Sequence, residues 1–225
     1  MTTLFINIKE LIQVRELSED KVYGKDMGTL PIIKKAFMLI EGNTIIDFGS
    51  MDNLGVKKAD KVVDLSGRLV LPTWCDSHTH IVYADSREEE FVDRIKGLSY
   101  QEIAKKGGGI LNSAKKLQDK TENQLYNDAV TRIEEIIKSG TGALEIKSGY
   151  GLTLDSELKM LQVIKKLKET FPIPIKATFL GAHAIPSKYK ENREEYIELI
   201  INNIIPEVAS QKLADYIDVF CEKGY

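Results

Sequence analysis

The sequence predicts an α/β protein: about the first four β/α units of a TIM-like (β/α)8 barrel, preceded by a small β domain. Three observations carry this. Residues 1–66 read as short strands joined by turns, with no sustained helical period. Over residues 67–225 apolar, strand-like runs alternate with helix-like stretches in the order β-α-β-α-β-α-β. That order is the signature of a parallel sheet with helical crossovers. A complete barrel takes about 250 residues, so residues 67–225 hold only part of one and the chain reads as truncated.

LFINIKELIQV opens the first segment. In PIIKKAFMLIEGNTIIDFGS, the runs AFMLIE and TIIDFG flank Gly42-Asn43, a hairpin signal. KVVDLSG adds a short strand ending at Gly67. In the second segment RLVLPTWCDSHTHIV is apolar and β-rich. Ser99 and Glu102 have capping-box spacing, as do Thr121 and Gln124. After Thr121, the residues Leu125, Ala129, Ile133, Ile136 and Ile137 recur at helical spacing, and Gly140 suits the left-handed helix end. TGALEIKSGYG is the next strand. Asp155 is expected to cap a helix whose stripe is Leu158, Leu161, Ile164 and Leu167. PIKATFLGAHAIP follows as a strand. Asn192 begins a helix carrying Tyr196, Leu199, Ile200 and Ile204, with Pro206 either kinking it or opening a second one. DYIDVFCEKGY is the last strand.

Composition removes several function classes. Apolar residues at 43% and charged residues at 29% suit an ordinary globular protein. A net charge of −3 with no separate basic block gives no reason to expect nucleic acid. MTTLFINIKELIQV lacks the basic-then-apolar pattern of a signal peptide. No apolar run nears the roughly 20 residues of a membrane span. A cytoplasmic protein with no membrane partner is expected. Cys75 and Cys221 are far apart and read as reduced small hydrophobes. Strand alternation turns Cys75 away from the face of His78 and His80, which disfavours it as a thiolate ligand.

The chain has 3 histidines, and two of them stand in LPTWCDSHTHIVYADSR. Residues i and i+2 of a strand share a face, so His78 and His80 project together. They would do so at the C-terminal end of the first barrel strand, where active sites of this architecture lie. Two such imidazoles can bind one metal ion, zinc or iron. A bare His-x-His is more often a pair of hydrogen-bonded strand residues. Here the apolar strand before it, Asp76 on the same face and the β/α series after it favour the metal.

LVLPTWCDSHTH resembles the first strand of the amidohydrolase superfamily, with His78, His80 and Asp76 matching its pattern and Thr73 standing in place of a glycine. HTHIVYADSREEEF, GLSYQEIAKKGGGI, EIKSGYGLTLDSELKML and TFLGAHAIPSKYK together resemble the imidazolonepropionase family. The resemblance implies metal-dependent hydrolysis of 4-imidazolone-5-propanoate, a small-molecule substrate, to N-formimidoyl-L-glutamate in histidine degradation. It implies His78 and His80 as metal ligands, and Arg87, Tyr150 and His183 as substrate contacts. It implies one divalent or trivalent metal ion, zinc or iron, and a homodimer. The remaining ligands and the proton-transfer residues are expected on later strands, beyond Tyr225. The chain by itself is therefore expected to be inactive.

Other readings stay open at this point. Arg87 stands among Asp85, Glu88, Glu89 and Glu90, which by themselves suggest a surface ion-pair cluster. Tyr150 between two glycines can be a turn aromatic, and His183 a strand-end histidine. Glu145 and Lys147 share a strand face, with Lys147 read as structural. Gly107-Gly108-Gly109 lacks the Gly-Lys-Ser/Thr of a phosphate loop and reads as a flexible loop or helix end near the barrel mouth. Glu222 has no partner in sight. Another amidohydrolase activity, such as nucleobase deamination, and a non-catalytic fragment are the alternatives to cyclic amide hydrolysis.

Overall fold

The structure, a computed structural model, describes residues 1–15, 21–99, 102–103, 106 and 108–222. The chain divides into two compact units, Met1–Pro72 and Thr73–Tyr225. In the first, β1 (Thr2–Ile12), β2 (Ile32–Glu41), β3 (Thr44–Ser50) and β4 (Lys61–Asp64) form a sheet in the order β3-β2-β1-β4. A two-residue strand, β5 (Leu69–Val70), pairs with Glu10 and Leu11 of β1, which keeps it with the first unit. The hairpin at Gly42-Asn43 is formed: β2 and β3 are antiparallel, Glu41 is opposite Thr44, and Gly42 has φ +58°.

Asn7, at φ +56°, lies in a register shift of β1 between Phe5 and Ile8. The bulge changes the face to which later residues point. Leu4 packs with Phe37 and Leu39, whereas Ile8, which regular alternation would place beside Leu4, packs with Ala36 and Leu11. Both faces of the sheet therefore carry a small core.

The second unit contains four parallel strands, β6 (Trp74–Thr79), β7 (Thr141–Lys147), β8 (Ile175–Ala182) and β9 (Tyr216–Val219), in that order across the sheet. Between β6 and β7 come α1 (Glu88–Ile95), α2 (Ile110–Asp119) and α3 (Glu122–Lys138). Helix α4 (Leu154–Thr170) joins β7 to β8. The last crossover is α5 (Arg193–Leu199), a π-helical turn at Ile200–Ile204, and α6 (Ile205–Ser210). The strand-helix alternation is the one the sequence predicts.

The capping box of α3 forms, with Thr121 accepting from the Gln124 amide and the Gln124 side chain closing back on Thr121. Leu125, Ala129 and Ile133 are fully buried. The helix ends at Gly140, whose φ of +98° is the left-handed conformation expected there. For α4 the expected cap is corrected. Thr153, extended at φ −138° and ψ 160°, accepts from the Ser156 amide, and Asp155 lies inside the first turn. Met160 and Val163 join Leu161, Ile164 and Leu167 in the core, because α4 packs on both α3 and β8. Pro206 opens α6 rather than kinking α5.

Helices α1 and α2 were not expected. The bonds of the Ser99–Glu102 capping box are present. Tyr100 and Gln101 of that predicted helix, and Gly107 of the glycine run, lie outside the described residues. Gly109 is the residue before α2, with φ +82°. Thr73, where the family pattern has glycine, packs on Gly142 of β7: a Cβ there would come within 2.9 Å of Thr73 Cγ2. Among the described residues no helix is long and apolar enough to cross a membrane.

Candidate active site

Parallel neighbours bring their C-terminal ends together, and the five residues singled out in the sequence meet at the ends of β6, β7 and β8. The His78 and His80 rings are 5.8 Å apart between centroids, at 64°. His80 stacks on His183 at 5.2 Å and 10°, and lies 4.8 Å from the Tyr150 ring. Tyr150 and His183 are 5.5 Å apart. The Arg87 guanidinium sits 5.6 Å from the centre of the Tyr150 ring. Asp76 accepts weakly from the His78 amide, at 3.3 Å.

Arg87 is half-buried and makes more than the ion pair its neighbours suggested. Nε donates to Ser113 Oγ at 2.9 Å, while the contact to Glu90 is a long 3.9 Å. Nη2 is buried and has no hydrogen-bond partner among the described residues. A buried guanidinium N–H of this kind suits a carboxylate ligand.

His80 is half-buried, and burial pushes its imidazole down to about 4, helped by the nearby charges of His183, His78 and Lys147 and opposed by a backbone hydrogen bond to Ser148. Its Nδ1 is buried without a hydrogen-bond partner among the described residues. The ring is therefore neutral near pH 7, the state a metal ligand needs. Burial also lowers His183, against a bond from its Nδ1 to the Gly149 carbonyl at 3.0 Å. A carbonyl only accepts, so Nδ1 carries the proton and Nε2 is left as an acceptor.

Lys147 is structural in the sense expected. It is buried and bonds Glu145 at 2.5 Å and Asp218 at 2.9 Å, tying β7 to β9. Burial opposes its charge, but the two carboxylates outweigh that and hold it above the ordinary lysine value. Thr178 of β8 donates to the same Glu145 oxygen as Lys147. Glu222 is exposed.

The segment between the histidine pair and Arg87 is held from α3. Arg132 Nη1 donates to the carbonyls of Ile81 at 2.9 Å and Tyr83 at 3.0 Å, and its guanidinium stacks 3.4 Å from the Tyr83 ring centre. Nothing in the helical spacing of α3 marked this role. Arg132→Ala is expected to lower unfolding stability by about 2 kcal/mol, through lost charge-assisted bonds and cation–π contact. Urea titration monitored by circular dichroism checks it.

Over all 225 residues the chain is 64% identical to imidazolonepropionase of Flavobacterium psychrophilum. The chain is similar to the N-terminal part of imidazolonepropionase. A second imidazolonepropionase, from Flavobacterium johnsoniae, is 62% identical over the same 225 residues. The chain spans 55% of the length of each of these curated relatives, and the matched part is N-terminal. No family model matches the chain. Among solved structures, Escherichia coli guanine deaminase superposes with a TM-score of 0.55 at 14% identity, covering 90% of this chain and 43% of that one. At that identity the likeness is one of fold. It sets the chain in an α/β architecture shared with that deaminase.

Proposed function

We propose that this chain supplies the first part of the active site of a metal-dependent hydrolase. In this reading its four β/α units are the opening half of an eight-stranded barrel. The reaction is the hydrolysis of the cyclic amide of 4-imidazolone-5-propanoate to N-formimidoyl-L-glutamate, a step of histidine degradation. The observation that carries the reading is the meeting of the His78–His80 pair with Arg87, Tyr150 and His183 at one end of the parallel sheet. The similarity to imidazolonepropionase supports this choice of substrate.

His78 and His80 would hold one zinc or iron ion, and the fit rests on the neutral, buried and unpartnered His80 Nδ1. They supply two donors of the four that a zinc site takes. Among the described residues no group of three His, Cys, Asp or Glu side chains is placed to hold a metal, so the other donors lie outside this chain in this reading. When bound, such an ion polarises the amide carbonyl and lowers the pKa of its water from 15.7 towards about 7.

The chain's own residues bind and orient. Arg87 takes the propanoate carboxylate through the buried Nη2 edge, beside the Tyr150 ring. His183, protonated at Nδ1, offers Nε2 to a ring N–H of the imidazolone. This assignment favours ring recognition over stabilisation of the developing oxyanion. Tyr150 presents its hydroxyl to ring or tail. A neutral nucleobase would leave the Arg87 edge without its anion.

The test is turnover on 4-imidazolone-5-propanoate and on guanine or cytosine. The protein assayed carries this chain followed by the remainder that its relatives have. Activity on nucleobases alone would sink the reading. In the same protein Arg87→Lys is expected to raise KM about tenfold with a smaller change in kcat, because an ammonium cannot pair bidentately with the carboxylate. Steady-state kinetics checks this.

A further inference from the structure

Glu157 is the one carboxylate that is fully buried, at 0% exposure, among the described residues, and no step above uses it. It lies in the first turns of α4, where a glutamate ordinarily faces water beside the positive helix end. Instead it points under the loop between β7 and α4. Oε2 accepts from the Gly149 amide at 3.0 Å, and Oε1 accepts from the amides of Gly151 at 2.8 Å and Leu152 at 2.9 Å. The Ser148 hydroxyl bonds the carboxylate as well, while it accepts from the Leu180 amide of β8 at 3.1 Å. Burial pushes this carboxyl up; the backbone donors pull the other way, and both oxygens only accept from them, as a carboxylate does.

The loop so gripped is Ser148-Gly149-Tyr150-Gly151-Leu152. Its outer side is held by Gln118, which donates to the Gly151 carbonyl at 3.2 Å. Gly149 has φ +104°, and a Cβ there would press within 2.9 Å of His183 Nδ1. With the Gly149 amide fixed on Glu157, its carbonyl is free to meet His183 Nδ1 at 3.0 Å. Two side chains of the site thus depend on one buried carboxylate: Tyr150, carried on the loop, and His183, whose tautomer the loop carbonyl selects.

We propose that Glu157 is a positioning residue: its carboxylate shapes the 148–152 loop so that the Gly149 carbonyl locks His183 in the Nδ1–H tautomer and Tyr150 stands against His80. The role in catalysis rests on the hydrolase reading above; the tautomer does not. Only 3 histidines are present, so long-range proton–nitrogen correlation spectra of their imidazoles, on this chain, are simple to assign with His183→Gln. In the unaltered chain at neutral pH, His183 is expected as the Nδ1–H form. In Glu157→Gln, whose amide turns donor hydrogens towards the loop amides, the His183 nitrogen shifts are expected to move towards a mixture of tautomers.

Glu157→Asp keeps the charge with a shorter reach. It is expected to fall between the two, and it serves as the reading if the glutamine variant does not fold. An unchanged His183 tautomer in a folded variant of either kind overturns the proposal. In the protein of full relative length, Glu157→Gln is expected to lower kcat/KM about a hundredfold, as misplacement of binding groups does. Loss of turnover with the tautomer intact overturns the route through His183, and a shifted tautomer in a protein that does not hydrolyse the substrate leaves the positioning role standing while the hydrolase reading fails.

Discussion

If the proposed hydrolase reading holds, His80→Ala in the protein that joins this chain to the remainder its relatives carry is expected to lower hydrolysis of 4-imidazolone-5-propanoate by at least about a thousandfold, the scale of losing a carbonyl-polarising, water-activating ion. The effect falls on kcat and on bound metal together. The His80 ring meets the three other rings of the site: it stacks on His183, lies against Tyr150 and neighbours His78. In the proposed reading its removal takes away one of the two metal donors and the surface behind the Tyr150 and His183 rings. Metal content by emission spectroscopy and steady-state rates on the same preparation check the two halves of the expectation. A variant that keeps stoichiometric metal and its rate would remove His80 from the ligand set.

The second large effect is on acid stability. In the fold the His80 imidazole sits at about 4, against an ordinary value of 6.5. Between those values the unfolded chain takes up a proton that the folded chain refuses. Stability is therefore complete above pH 6.5 and falls as pH drops towards 4, by about 3 kcal/mol at the low end. His183, also held below its ordinary value by burial, adds to the same slope. The carboxylates Glu145, Asp215 and Asp218 are held below their ordinary values, so their contribution is lost only at still lower pH, as it falls through their folded values. Urea midpoints from pH 7.5 to 4.5 in chelator check this. The profile of His80→Gln is expected to be flatter than that of the unaltered chain over this range, and parallel profiles would contradict the assignment.

Much of the second unit was legible because its residues obey one period at a time. Leu125, Ala129 and Ile133 keep helical spacing and are buried, and the strands read as apolar runs with punctuation after them. The histidine pair was legible from its spacing on a strand, Arg87, Tyr150 and His183 only through the family resemblance, and parallel β6, β7 and β8 bring them to one place. What stayed hidden depends on backbone angles or on contacts distant in sequence. Thr153, Asp155 and Ser156 are all capping residue types in one short stretch, and only the extended backbone at Thr153 decides among them. Helix α2 follows Gly109, the end of a glycine run that reads as a loop or a helix end without saying which. The bulge at Asn7 reassigns Ile8 from one face to the other without any change in the alternating pattern.

Glu157 and Arg132 show the same limit at the site itself. Each sits on an amphipathic helix where a charged residue is unremarkable, and each matters through carbonyls or amides of a distant loop. No side-chain pattern encodes that. A buried glutamate in a helix's first turns becomes visible only when the loop before it curls back over the carboxylate.

The most direct measurement is hydrolysis of 4-imidazolone-5-propanoate by the protein that joins this chain to the remainder its relatives carry. Its ring absorbance is followed before chelation, after chelation and after zinc or iron is restored. The account predicts turnover that chelation removes and the metal returns, with N-formimidoyl-L-glutamate as product. Turnover indifferent to chelation in metal-free protein, or no hydrolysis of this substrate by metal-loaded protein, would contradict it.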